Sequence, residues 1–357
     1  MVGKLFNDLL IDKLRFYIND TDFSNTDRSE FFANIENVMS SHYPDNAYRL
    51  NTSRQRISLE FTPTRYRANE GQTDTNLIMP EEPTLFELFE NLRFYDLPEN
   101  IYNSFIISKI HLTKNFYTQG TVPRYIEMLK KRKYRAGINP IQNTSNSTNT
   151  SLILSTLKKN STNKNIVGDK VILFYDKVQE LRDKASLNDI FLPSPLSPID
   201  RNILPIEAYH NSPPYLSLQN LHILRCELQY AYSKKLKNIS DFISNTTNSH
   251  DLRLATLLDL LQEENLYNTL ERFYTNELRN RVFFNKPITQ EVHLGKHEKL
   301  LAELIKVNKI SATRLLGMYK GSQKNSLSRV LKKLQMTDSS NKLYVELYRK
   351  VIEGRNF

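Results

Sequence analysis

Two histidines, two glutamates and one cysteine have the side chains best suited to catalysis or metal binding, yet their spacing matches no familiar site. His293 and His297 are four residues apart and would share one face of a helix. They lack the His-Glu-x-x-His order and a third ligand. Glu263 and Glu264 are neighbours in sequence and fit a solvated pair on a helix surface. No glycine-rich phosphate loop and no Gly-x-Ser-x-Gly turn occurs. We therefore expect a protein that is not an enzyme and has no metal or cofactor.

The cysteine content and the lack of long apolar runs indicate a compartment. Cys226 is the sole cysteine, which excludes an intramolecular disulfide and a Cys-based zinc site. It lies in residues 221–230, where we expect it to pack inside a helical structure. No secretory signal is visible, and no run approaches the roughly 18 apolar residues of a membrane span. These features favour a nuclear or cytosolic protein with no membrane partner, and we expect the nucleus.

A basic C-terminal segment offers the clearest binding chemistry. Between Glu303 and Asp338 the sequence has eight Lys and Arg residues and no acid, as contact with phosphates requires. The predicted helices 298–307, 310–316 and 322–334 resemble a helix-turn-helix or winged helix, in which the last helix enters the major groove. The predicted nucleic-acid-binding residues are those outward on that helix: Gln323, Lys324, Asn325, Ser328, Arg329, Lys332 and Lys333. A pure protein-interaction module would show the same pattern.

A second basic segment precedes a polar tract. It is interleaved with Tyr125 and Tyr134, and its composition suits a nuclear localisation signal or a phosphate-binding patch. A solvated helix end would look the same. The residues predicted to act there are Lys130, Lys131, Arg132, Lys133 and Arg135.

The formal net charge of +10 is unevenly distributed along the chain. Residues 1–100 contain 10 Lys and Arg against 17 Asp and Glu, whereas residues 101–165 contain 11 against 1. Residues 291–357 contain 14 against 6. Charge asymmetry of this kind bears on partners rather than on fold, and a polyanion is the natural partner of both basic blocks.

The elements expected to position these residues are mostly helices, because glycine is scarce and apolar residues recur at helical spacing. We predict a mainly α chain with a C-terminal helix-turn-helix or winged-helix-like module. The longest predicted helices are 4–18, 98–110, 169–185, 217–244 and 249–282. Residues 56–61 alternate like a strand, and residues 343–347 alternate like a strand or continue as a helix. The predicted domains are an acidic helical domain (1–136), a disordered polar linker (137–165), a helical middle domain (166–290) with a proline-rich connector (191–214), and the basic module (291–357).

These features predict a non-enzymatic subunit of a nuclear DNA- or chromatin-associated complex. Its C-terminal module would contact nucleic acid, DNA in preference to RNA, and its helical domains would bind protein subunits. One alternative is a helical scaffold in a kinetochore, transcription or RNA-processing assembly without nucleic-acid contact. Another is an organellar RNA-binding protein.

Overall fold

Strands and helices alternate along the chain. The computed structural model describes residues 9–19, 28–43, 45, 47–53, 55–62, 103–135, 137–141, 151–159, 165–184, 191–193, 215–217, 222–231, 233–243, 252–262, 265–285, 287, 296, 298–299, 316–318, 320–337 and 339–354. The strands are β1 (Leu10–Asn19), β2 (Tyr48–Ser53), β3 (Arg56–Phe61), β4 (Ile106–Tyr117), β5 (Asn139–Ile141), β6 (Ser151–Lys159), β7 (Asn165–Asp176), β8 (Phe191–Pro193), β9 (Tyr215–Ser217) and β10 (Ile223–Ala231). The helices are α1 (Arg28–His42), α2 (Val122–Lys130), α3 (Lys177–Lys184), α4 (Ser233–Ile243), α5 (Leu254–Gln262), α6 (Leu266–Arg281), α7 (Gly321–Thr337) and α8 (Ser339–Ile352).

Eight of these strands form one antiparallel sheet in the order β2-β3-β1-β4-β10-β7-β6-β5. The short strands β8 and β9 pair separately. The prediction of a mainly α chain with a helix-turn-helix or winged-helix-like module is therefore wrong, because the described residues are organised around a large sheet. The predicted strand 56–61 is confirmed as β3.

The strands arise where polar and apolar residues alternate with a period of two. In β10, Leu224, Cys226 and Leu228 are buried on one face, and the polar residues between them lie on the other. β1 behaves in the same way, with Leu14, Phe16 and Ile18 on the apolar face. Helices were predicted over 4–18 and 217–244 because several leucines there also fit a 3.6-residue period. Over ten residues or fewer, pairing with neighbouring strands decides between the two periods.

Three other sequence-based expectations are corrected in the same way. The predicted helix 169–185 is the end of β7 followed by α3, since the run Val171–Phe174 is continuously apolar and suits a strand in mid-sheet. The predicted helix 98–110 includes the start of β4. The polar tract 137–165 contributes β5, β6 and the first residue of β7 to the sheet.

The apolar face of the sheet packs against helices and forms the core. On the β1 and β3 side, Phe105 lies 5.2 Å from Phe16 and 6.3 Å from Phe31 of α1, measured between ring centroids. On the β10 side, Tyr230 lies 5.6 Å from Phe273 of α6. Helix α2 packs against β6 and β7. Burial of large aromatic and aliphatic side chains at about 25 cal/mol per Å² is the main stabilising contribution of this face.

The chain divides into two compact units, Met1–Val282 and Phe283–Phe357. In the second unit, Tyr344 of α8 stacks on Phe283 at 5.8 Å and its hydroxyl donates a hydrogen bond to the Asn285 carbonyl at 2.7 Å. α8 begins two residues after α7 ends, so the residues that alternate at 343–347 are helical and do not form a wing. Among the described residues, no helix has the length and apolar character needed to cross a membrane.

Candidate functional site

The face of the sheet opposite the core carries an unusual number of charged and polar side chains. Among the residues whose side chains the structure describes, Lys and Arg outnumber Asp and Glu on this face by six to three, so the described part of the face is basic. The cations are Lys13, Arg15, Arg49, Arg56, Lys109 and Arg225, and the carboxylates are Asp12, Glu60 and Glu227. We call this side of the sheet the polar face; at its centre His111, Thr113, Arg225 and Glu227 are buried.

Three side chains on the polar face form a group that could hold a metal ion. One ligand atom from each of Asp12, His111 and Glu227 lies within 4.8 Å of the others. His111 and Glu227 come from the neighbouring central strands β4 and β10, and both are buried. A β-bulge between Ile11 and Lys13 brings the half-buried Asp12 of β1 to the same place. We call these three residues the Asp-His-Glu group.

Hydrogen bonds from both sides hold the carboxylate of Glu227. The Tyr175 hydroxyl on β7 donates to Glu227 Oε1 at 2.6 Å. The Gln229 amide donates to Glu227 Oε2 at 2.9 Å. Burial, the largest effect, raises the pKa of Tyr175 well above its usual value, so this hydroxyl remains a donor at neutral pH.

Arg225 is completely buried beside the same carboxylate. Its Nε donates to Asn115 Oδ1 at 2.9 Å, and its Nη1 lies 3.4 Å from the Tyr175 hydroxyl. Burial by itself lowers the pKa of this guanidinium. The neighbouring side chains of Tyr175, Asp12 and Glu227 outweigh burial and raise the pKa above its usual range. Arg225 is therefore a fixed positive charge behind the Asp-His-Glu group.

A buried hydroxyl next to the group makes no hydrogen bond with any residue that the structure describes. Thr113 is fully buried, stands opposite Glu227 in the β4–β10 pairing, and follows His111 by two residues on the same face. Leaving a buried hydroxyl unsatisfied costs about 1–3 kcal/mol. An orphaned polar atom beside two carboxylates and an imidazole fits a site that binds a hydrated cation.

His111 has the protonation state that metal binding requires. Burial first, and then the positive charge of Lys109, lower its pKa to about 4, although the carboxylate of Asp12 acts in the opposite direction. The imidazole is neutral at pH 7 and has a lone pair to offer. Two carboxylates with one imidazole suit Mn²⁺, Mg²⁺ or Zn²⁺.

A cluster of cations around Glu60 lies next to the group on the polar face. Glu60 accepts a hydrogen bond from Lys13 Nζ at 3.1 Å and forms ion pairs with Arg15 and Lys109. Burial by itself raises the pKa of Glu60, but Lys13 and the other two cations lower it to about 2. Three cations share one carboxylate, so the cluster keeps an excess of positive charge beside the Asp-His-Glu group.

None of the residues predicted from sequence belongs to the Asp-His-Glu group. Gln323, Lys324, Asn325, Ser328 and Arg329 are exposed on α7 of the second unit. Lys332 and Lys333 belong to the same helix, and their side chains lie outside the described part of the chain.

The second predicted patch is at the end of α2. Lys130, Lys131, Lys133 and Arg135 are exposed, and Arg132 is half-buried. Lys131 also forms a 2.7 Å ion pair with Glu127. The patch is therefore on the surface, as binding a polyanion would require.

The other residues singled out by their chemistry give a mixed result. Cys226 is buried on β10, so its packing role holds but the helix expected around it does not. His293, His297, Glu263 and Glu264 lie outside the described residues.

Sequence reasoning missed the Asp-His-Glu group. One signal for it exists in the chain, since Arg225, Glu227 and Gln229 alternate with buried apolar residues in a segment of high β-propensity. Charged residues at alternate positions of a buried strand are costly and indicate a function.

Comparison with known proteins adds no relative: no protein-family model matches the sequence, and neither the curated proteins nor the solved structures include a match.

Proposed function

We propose that this protein acts on nucleic acid, DNA in preference to RNA, as a metal-dependent phosphodiester-cleaving enzyme. The observation that carries the proposal is the Asp-His-Glu group on a basic sheet face, next to the orphaned hydroxyl of Thr113. The expectation of a non-enzymatic subunit depended on missing motifs. Motifs cannot reveal a site assembled from three strands that lie about a hundred residues apart in sequence.

The chemistry of the site supports phosphodiester cleavage. Hydrolysis joins the oxygen of water to phosphorus, breaks one phosphorus–oxygen bond to a sugar, and returns a proton to the departing oxygen. A divalent cation supplies charge neutralisation and an activated water in reactions of this class. Asp12, His111 and Glu227 would hold the cation, and Lys13 and Lys109 beside them would bind phosphates of the substrate backbone.

The charge of the chain supports a polyanionic substrate. The net charge is +10, and cations are exposed on α2 and α7 in addition to the polar face. Non-specific attraction to phosphates would concentrate DNA at the protein and weaken with salt.

Cleavage of supercoiled plasmid and of a labelled single strand, with Mn²⁺ or Mg²⁺ and with EDTA, tests the proposal. The wild-type protein should cut with metal and not with EDTA, and Asp12→Asn should abolish cutting. Asp241→Asn is the matched control, since Asp241 is exposed on α4. Absence of metal-dependent cleavage of both substrates would overturn the enzymatic proposal. Faster cleavage of an RNA strand would overturn the preference for DNA.

A second candidate is a nuclear DNA- or chromatin-associated subunit that contacts DNA without cutting it. The exposure of Lys324 and Arg329 on α7 favours it. The double substitution Lys324→Glu and Arg329→Glu should weaken DNA binding measured by fluorescence anisotropy. It should also reduce the slope of log affinity against log salt by about 2. Unchanged binding would contradict a role for α7 and favour a protein partner on this helix.

A further inference from the structure

A chain of hydrogen bonds crosses the three central strands behind Glu227. Asn115 on β4 accepts from Arg225 on β10, and Arg225 reaches the Tyr175 hydroxyl on β7. Tyr175 then donates to Glu227, whose second oxygen accepts from Gln229. Both oxygens of one carboxylate therefore accept a hydrogen bond.

From this geometry we infer that Tyr175 and Gln229 are positioning residues that fix the Glu227 carboxylate for binding a divalent cation. The inference rests on the proposed function in one respect, namely that the Asp-His-Glu group binds metal. Neither residue needs to touch the cation. Each donates one hydrogen bond to a carboxylate oxygen and leaves that oxygen a lone pair for the metal.

The distances explain why the two donors act together. The 2.6 Å contact from Tyr175 is short, as is usual when a neutral hydroxyl donates to a charged carboxylate. With a donor on each oxygen, the carboxylate cannot rotate about its terminal bond without breaking one of the two contacts. Removing a residue that hydrogen-bonds a metal ligand typically weakens metal affinity by about 10–100-fold.

The strand register accounts for the placement of Tyr175 and Gln229, which together we call the clamp. Tyr175 stands opposite Arg225 in the β7–β10 pairing, which places its ring one pleat away from Glu227 on the same face. Gln229 follows Glu227 by two residues on β10 and therefore also lies on that face. A slip of either strand by one residue would move these donors to the apolar face.

Isothermal titration of the full-length protein with Mn²⁺ alone tests the inference. Tyr175→Phe removes the hydroxyl and keeps the ring, and we expect Mn²⁺ affinity to fall by about 10–100-fold. Gln229→Met removes the second donor at similar volume and should also weaken binding. The matched control is Tyr134→Phe, which deletes a half-buried hydroxyl that donates to the Leu129 carbonyl on α2. The control should change Mn²⁺ affinity less than twofold, although it too loses a hydrogen bond.

The outcomes separate the clamp from the site itself. If the wild-type protein failed to bind Mn²⁺, the metal site and the proposed function would both be refuted. If the wild type bound Mn²⁺ and both Tyr175→Phe and Gln229→Met bound it equally well, only the clamp would be refuted. If Tyr175→Phe did not fold, Gln229→Met would decide. Equal losses in Tyr175→Phe and Tyr134→Phe would show a general stability effect and would also overturn the inference.

Discussion

Replacement of Glu60 by Gln should destabilise the protein in a way that depends on pH. Glu60 forms ion pairs with Lys13, Arg15 and Lys109, and its side chain is 13 % exposed. These cations lower its pKa from 4.5 to about 2, against the effect of burial. Because the folded pKa is lower than the unfolded one, the ionised carboxylate stabilises the fold above the unfolded pKa. This stabilisation is lost as pH falls from about 5 to about 2.

The expected magnitude follows from the shift. A change of about 2.5 pKa units corresponds to about 3 kcal/mol of unfolding free energy at pH 7, and about half of that is left at pH 3. Glu60→Gln should therefore cost about 3 kcal/mol at pH 7 and about half of that near pH 3. Part of this figure is offset by relaxation of the partly exposed Lys13 and Arg15 toward water.

Urea denaturation followed by circular dichroism at pH 7, 5 and 3 measures the effect. Glu127→Gln is the control, because Glu127 is exposed on α2 and forms an ion pair with the nearby Lys131. We expect no measurable change in that variant. A cost of Glu60→Gln that stayed constant across the three pH values would refute the electrostatic account of this cluster.

Two further predictions concern the buried centre of the sheet. Burial raises the pKa of the Cys226 thiol well above its ordinary value. Ellman's reagent should therefore leave the native protein unmodified and should titrate one thiol in urea. Rapid reaction in the native state would contradict the placement of β10. Gly168→Ala should destabilise the protein by about 1–3 kcal/mol, because the added Cβ would lie 2.2 Å from the Thr156 carbonyl oxygen. Gly317→Ala is the control and should not destabilise the protein, because the added Cβ meets nothing within 4 Å. Equal melting temperatures for the two variants would refute the close approach of β6 and β7.

Several elements could be predicted from local sequence. The strand Arg56–Phe61 follows from apolar periodicity alone. The single helix predicted over 249–282 is present as two helices, Leu254–Gln262 and Leu266–Arg281. The helix Gly321–Thr337 was also predicted nearly to its ends. In β1 and β10 the same leucines satisfied two periods, and local pattern could not choose between them. The choice depended on pairing with β4, which contacts both strands and is distant from each in sequence.

The sequence by itself determined the charge of this protein, its single cysteine, the basic character of two segments and part of its secondary structure. These properties depend on composition and on neighbours within a few turns. Only the tertiary structure decided that Asp12, His111 and Glu227 meet. Their approach requires an antiparallel register between three strands and a bulge in one of them, and each depends on hydrogen bonds between residues about a hundred positions apart. The absence of a recognisable motif and the presence of a candidate metal site are therefore compatible in the same chain.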